Sequence, residues 1–198
     1  MDKKLLPKNF FQDNPLDELS APLIAYFSMR VGFNERLQDI MRETLEGELD
    51  PERKAVIVEE KEKISQLETG EETVKFIRSG YDIVNRELLC NRVLAMQAEV
   101  LPLLLHRFRT SAQDSVIETA VHILSHAERE YVDQLITMYP DIRNPYAQST
   151  ACVALGVQKR EEVLPLLLRE YERFKREYPE KSYCQGPLLA IYILYGKA

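Results

Sequence analysis

His122 and His126 lie four residues apart, a spacing that on a helix sets two imidazoles on one face, where they could share a metal ion. The residue after His122 is Ile123, not the glutamate a metalloprotease uses as its general base. A third ligand would have to come from Glu128 or His106, and no local spacing demands either. The expectation is therefore of exposed or groove-facing histidines, with no metal. No Ser or Cys nucleophile motif, phosphate-cradling glycine loop or dinucleotide fingerprint is present, and the carboxylates sit in no recognisable acid/base setting. No catalytic residue and no cofactor is assigned.

A second set of residues could touch an anionic partner or RNA. Tyr171, Phe174 and Tyr178 alternate with Arg169, Arg173, Lys175 and Arg176. Their three-to-four-residue spacing fits ordinary helix packing, and Glu170, Glu172 and Glu177 dilute the positive charge. The formal charge is −6, and residues 1–70 hold 10 basic against 15 acidic groups. Phosphate binding rests on Lys and Arg, so nucleic acid is not an expected partner. Cys90, Cys152 and Cys184 are odd in number and far apart, which fits reduced thiols. No run approaches the roughly 18 to 20 apolar residues of a membrane span. The first residues also lack the apolar core of a secretory signal. A cytoplasmic protein is expected, with no membrane partner.

The elements that must position these groups are helices in a repeating order. Glu99-Val100-Leu101-Pro102-Leu103-Leu104-Leu105 returns 63 residues later as Glu162-Val163-Leu164-Pro165-Leu166-Leu167-Leu168, close to twice a weaker period of 31. Ala120 to Leu124, Ala151 to Leu155 and Ala190 to Leu194 each read Ala-x-x-x-Leu. Two helix types alternating at fixed spacing imply stacked pairs that bury their apolar faces against one another. The alanines let a partner helix approach closely, and Pro102 and Pro165 are expected in the first turns of their helices, where a missing amide costs little. The fold expected is all-α: an α–α superhelix, or short solenoid of antiparallel helix pairs, with an N-terminal helical extension. Residues 1–14 form an arm with apolar pairs Leu5-Leu6 and Phe10-Phe11, and residues 15–70 a helical segment packed on the array. That segment holds helices over Ser20–Val31, from Asn34 to Gly47 and from Asp50 onward. Residues 71–198 make about four pairs.

Asn144-Pro145-Tyr146-Ala147-Gln148-Ser149-Thr150-Ala151-Cys152-Val153-Ala154-Leu155-Gly156 resembles the second helix of a HEAT-like repeat: an amide cap, a small aliphatic, a polar residue, then Ala-x-x-Ala-Leu-Gly. Asp114 through Ile117 to Ala120 and Leu124 is a weaker version. The resemblance covers residues 71–198, with armadillo and tetratricopeptide-like arrays as alternatives. Glu118 and Gln148 stand where many HEAT units carry arginine, so no arginine ladder transfers. The resemblance implies an α-solenoid that scaffolds protein partners, its second helices lining the inner curve. It assigns no activity.

The repeat intervals align Arg92, His122, Val153 and Tyr192 in one column, expected to face away from the packed side of each second helix. Arg92, His122, His126, Gln148 and Tyr192 are the candidate partner-binding residues, because arginine and aromatic anchors dominate binding energetics. The function expected is a non-enzymatic scaffold for a protein or peptide. The alternative is a HEAT-like enzyme or nucleic-acid-processing protein, either metal-dependent or resembling the alkyl-purine DNA glycosylases. A chain without tryptophan or basic excess argues against that alternative. Self-association through the apolar arm is a further possibility.

Overall fold

A computed structural model describes residues 6–16, 47 and 50–196, and among these the chain is all-helical, with no strand. The helices are α1 (Phe10–Asp13), α2 (Pro51–Ser65), α3 (Gly70–Ser79), α4 (Arg86–Ala95), α5 (Gln97–Phe108), α6 (Asp114–Leu124), α7 (Arg129–Met138), α8 (Pro145–Val157), α9 (Leu164–Glu177) and α10 (Gln185–Leu194). The two helices expected between Ser20 and Gly47 lie outside the described residues.

Helix starts follow local chemistry. Thr69 and Glu72 form a reciprocal capping box at α3, with both bonds at 3.3 Å. Asn144 caps α8 by accepting from the Tyr146 amide at 2.9 Å, and Pro145 takes a first-turn position where its missing amide is harmless. Pro165 likewise falls in the first turn of α9. Pro102 does not. Helix α5 begins at Gln97, so Pro102 lies in its second turn and leaves the Ala98 carbonyl without an intrahelical amide. Ala98 is exposed, so solvent can satisfy that oxygen.

Alternate helices touch. One series runs α2 on α4, α4 on α6, α6 on α8 and α8 on α10; another runs α3 on α5 and α5 on α7. Side-chain bonds tie the same neighbours together at separations near one helix pair. Gln97 and Glu128, 31 residues apart, exchange two hydrogen bonds, and the Arg143 amide donates to the Arg109 carbonyl at 3.1 Å. Helices α8 and α10 approach each other closely. A Cβ on Gly156 would lie 2.6 Å from the Ala190 Cα, and one on Gly186 would lie 2.2 Å from the Ser149 carbonyl oxygen. Ala120, Ala151 and Ala190 are all fully buried. Around them Leu101, Leu104, Phe108, Ile117, Leu124 and Leu155 fill the interior. Each such side chain contributes about 1.5–3 kcal/mol on complete burial. Among the described residues no single helix is long and apolar enough to cross a membrane.

Candidate functional site

The aligned column is not an open wall. His122 has no exposed surface, and its Nε2 lies 2.7 Å from Glu87 Oε1 on the neighbouring α4. Val153 is buried as well. This corrects the expectation that the column faces away from the packed side. The reason is geometric: α4, α6, α8 and α10 touch in succession, so a position in register along them lies in the seam.

The remaining candidates are engaged within the chain. Arg92 donates from Nε at 2.9 Å, and from Nη2, to the Leu67 carbonyl just beyond α2. There the cation meets the negative end of a helix dipole. Gln158 does the equivalent job beyond α6, donating to the carbonyls of Leu124 at 3.1 Å and Ala127 at 2.9 Å. Gln148 donates to the Ile142 carbonyl at 2.9 Å, and its Oε1 accepts from Arg173 at 2.7 Å. His126 is half-buried, its ring centroid 5.3 Å from that of His122.

The other ligands a metal would need are elsewhere: His106 is exposed on α5 and Glu128 is bonded to Gln97. Among the described residues no group of three or more His, Cys, Asp or Glu side chains is placed to hold a metal ion.

Two polar clusters lie inside the helical array. In the first, the Tyr139 hydroxyl shares its one proton between Glu170 Oε2 at 3.3 Å and the Gln148 carbonyl at 3.2 Å, and lies 3.4 Å from Cys152 Sγ. Arg173 closes the cluster, donating from Nε to Glu170 Oε2 at 2.8 Å. Burial drives the Tyr139 hydroxyl far above its ordinary range and pushes the Cys152 thiol up to about 12, so neither ionises near neutrality. In the second, Glu118 accepts from Arg86 at 3.3 Å and from the Tyr146 hydroxyl at 3.0 Å. Beside it the Tyr81 and Thr119 oxygens lie 2.5 Å apart. Thr119 commits its proton to the Ser115 carbonyl at 2.7 Å, so Tyr81 is the donor between them. Tyr139 and Glu170 are 31 residues apart, so the repeat interval itself was the available signal.

The feature most like a binding site is a tyrosine-lined groove on α9 and α10, occupied by the N-terminal arm. Phe10 is almost fully buried and meets Tyr171 edge-on at 6.1 Å between centroids. Phe11 packs edge-on against Tyr192 at 4.7 Å and Tyr195 at 5.6 Å. Polar contacts fix the register. The Tyr192 hydroxyl reaches the main-chain carbonyls of Phe11 at 3.0 Å and Asn14 at 2.9 Å, and the Tyr171 hydroxyl donates to Asn14 Oδ1 at 2.7 Å. Asn14 Nδ2 in turn holds the Phe10 carbonyl at 2.8 Å. The sequence marked the arm as apolar and Tyr192 as an anchor, but it did not bring the two together.

No family model, curated protein or solved structure matches this chain.

What the groove can do follows from its side chains alone. Aromatic rings offer large contact area with little rotamer freedom to lose, and hydroxyls at their tips can accept or donate to a passing backbone. Lys175 sits 5.0 Å above the Tyr171 ring and adds a cation at the rim.

Proposed function

We propose that this chain is a short HEAT-like α-solenoid that works as a non-enzymatic scaffold for a protein or peptide segment. The observation that carries this reading is the groove of Tyr171, Tyr192 and Tyr195. It grips a strip of polypeptide by its main-chain carbonyls and by two adjacent aromatic side chains. Main-chain bonds combined with side-chain pockets are how peptide-binding surfaces join affinity to selectivity. The alternating helix contacts and the polar bonds one helix pair apart support the repeat reading. An enzymatic reading would rest on the Glu87–His122 pair, and the fully buried imidazole presents no surface to a substrate atom.

The test is to pan a phage-displayed peptide library on the full chain carrying Phe10→Ala and Phe11→Ala, which opens the groove, with and without Tyr171→Ala and Tyr192→Ala. Enrichment that disappears with the tyrosines is the expected result. A folded bait that enriches nothing in either form rejects the scaffold reading.

A further inference from the structure

The arm is an imperfect occupant of the groove it fills. The Tyr192 and Tyr171 hydroxyls are both satisfied by arm oxygens. The Tyr195 hydroxyl is not. Its ring lies 5.6 Å from Phe11, and its oxygen is shut off from solvent with no hydrogen-bond partner among the described residues. A buried hydroxyl left unmatched is destabilising, and a ligand that matched it would gain what the arm forfeits. The arm therefore carries the features that fit the groove, an aromatic pair on one helical turn and the Asn14 carboxamide that follows, and lacks one acceptor.

Resting on the scaffold reading, we propose that the arm is a built-in competitor for this groove. Its partner is then a protein segment with the same adjacent aromatic pair on one helical turn, plus a carboxylate or carboxamide that accepts from the Tyr195 hydroxyl. Binding proceeds by displacement: Phe10 and Phe11 leave, the partner's aromatics take their seats, and the third tyrosine gains a bond. The arm's occupancy sets a threshold that a segment without the extra acceptor does not cross.

The probe is a fluorescein-labelled peptide of residues 6–16, together with versions in which a single glutamate replaces Pro7, Lys8, Asn9, Gln12 or Pro15 in turn. Binding is followed by fluorescence anisotropy against the full chain and against the full chain with Phe10→Ala and Phe11→Ala. Removing the tethered competitor should tighten the parent peptide by about 10-fold or more. At least one glutamate peptide should gain roughly a further 10-fold on the opened chain, and that gain should vanish when Tyr195→Phe is added. Equal affinity for the closed and opened chains overturns the proposal, as does a glutamate scan in which no position responds to Tyr195→Phe. Should the double alanine chain fail to fold, Asn14→Ala loosens the arm without emptying an aromatic seat and is read by the same criteria. Panning that enriches peptides indifferent to Tyr171 and Tyr192, with no competition from the arm, overturns this inference and leaves the scaffold reading standing. Panning that enriches nothing, with a flat glutamate scan, overturns both.

Discussion

Gly156→Ala is a substitution whose sign separates local propensity from packing. Gly156 lies inside α8, and alanine in a helix interior is favoured over glycine by about 1 kcal/mol, so local energetics alone predict stabilisation. The new methyl would lie 2.6 Å from the Ala190 Cα, 2.8 Å from its Cβ and 2.9 Å from its carbonyl oxygen. Two of those atoms are backbone in α10, which can yield only if the whole helix shifts. Overpacking a rigid site costs about 1–3 kcal/mol, and a backbone obstacle places this one near the upper end. The net expectation is a loss of about 2 kcal/mol, or a melting temperature lower by about 4–8 °C for a chain of this size. Urea unfolding and differential scanning calorimetry on the purified variant measure both quantities. Adding Ala190→Gly removes the Cβ contact alone, so the double variant should recover little. A Gly156→Ala chain as stable as the parent, or more so, would show that α8 and α10 do not approach as closely as described, and would remove the reason for small residues along this seam.

The buried Glu170–Arg173 pair should behave as a unit. Arg173→Ala leaves Glu170 as a buried carboxylate supported by Tyr139 and the exposed Arg169, and should cost about 3 kcal/mol. Adding Glu170→Gln should recover part of that loss in a double-mutant cycle, and strictly additive effects would contradict the pairing. Asp82 provides a pH signature. A hydrogen bond from Arg53 holds its carboxyl below the ordinary range, so the unfolded chain takes up the proton first as acid is added. The pair's stabilisation is then complete at neutral pH and is lost as pH falls from about 4 through the lowered folded value. Asp82→Asn should flatten the urea stability profile across that acid window, and an unchanged slope would remove the assignment.

Much of the helical layout is legible in the sequence because it is written in short-range chemistry. Asn144-Pro145 fixes the start of α8, and Gly70 with Glu71 and Glu72 marks α3. The alanines at 120, 151 and 190 announce buried contacts because only a small side chain permits them. The facing of the second helices was not legible. Periodicity identifies an apolar stripe, and the repeat intervals align a column containing Arg92 and His122 without saying which way it faces. In the fold Arg92, His122 and Gln148 are each met by a group far along the chain: the Leu67 carbonyl, Glu87 and Arg173. A polar residue at a helix seam is indistinguishable from a surface residue until its partner is brought opposite. Pro102 failed for a different reason. The repeated segment suggested that both prolines sit alike, whereas a turn of 3₁₀ helix at Glu161–Val163 delays α9 and α5 starts well before its own proline.

The arm shows how sequence distance conceals a site. Asn14 and Tyr171 are 157 residues apart, and Phe11 and Tyr192 are 181 apart, so no window along the chain contains both sides of the groove. A helix at the end of a packed series leaves one apolar face without a following neighbour, and something must cover it. Here the cover comes from the opposite end of the described chain, held by three tyrosine rings and three hydroxyl bonds instead of by a helix seam. A cap built into a seam such as Gly156 against Ala190 cannot leave without unfolding its neighbour. On the proposed reading, an arm held mainly by ring edges and hydroxyl tips leaves while α10 stays packed on α8 and α9. That difference is what the proposed competition between the arm and a partner segment relies on.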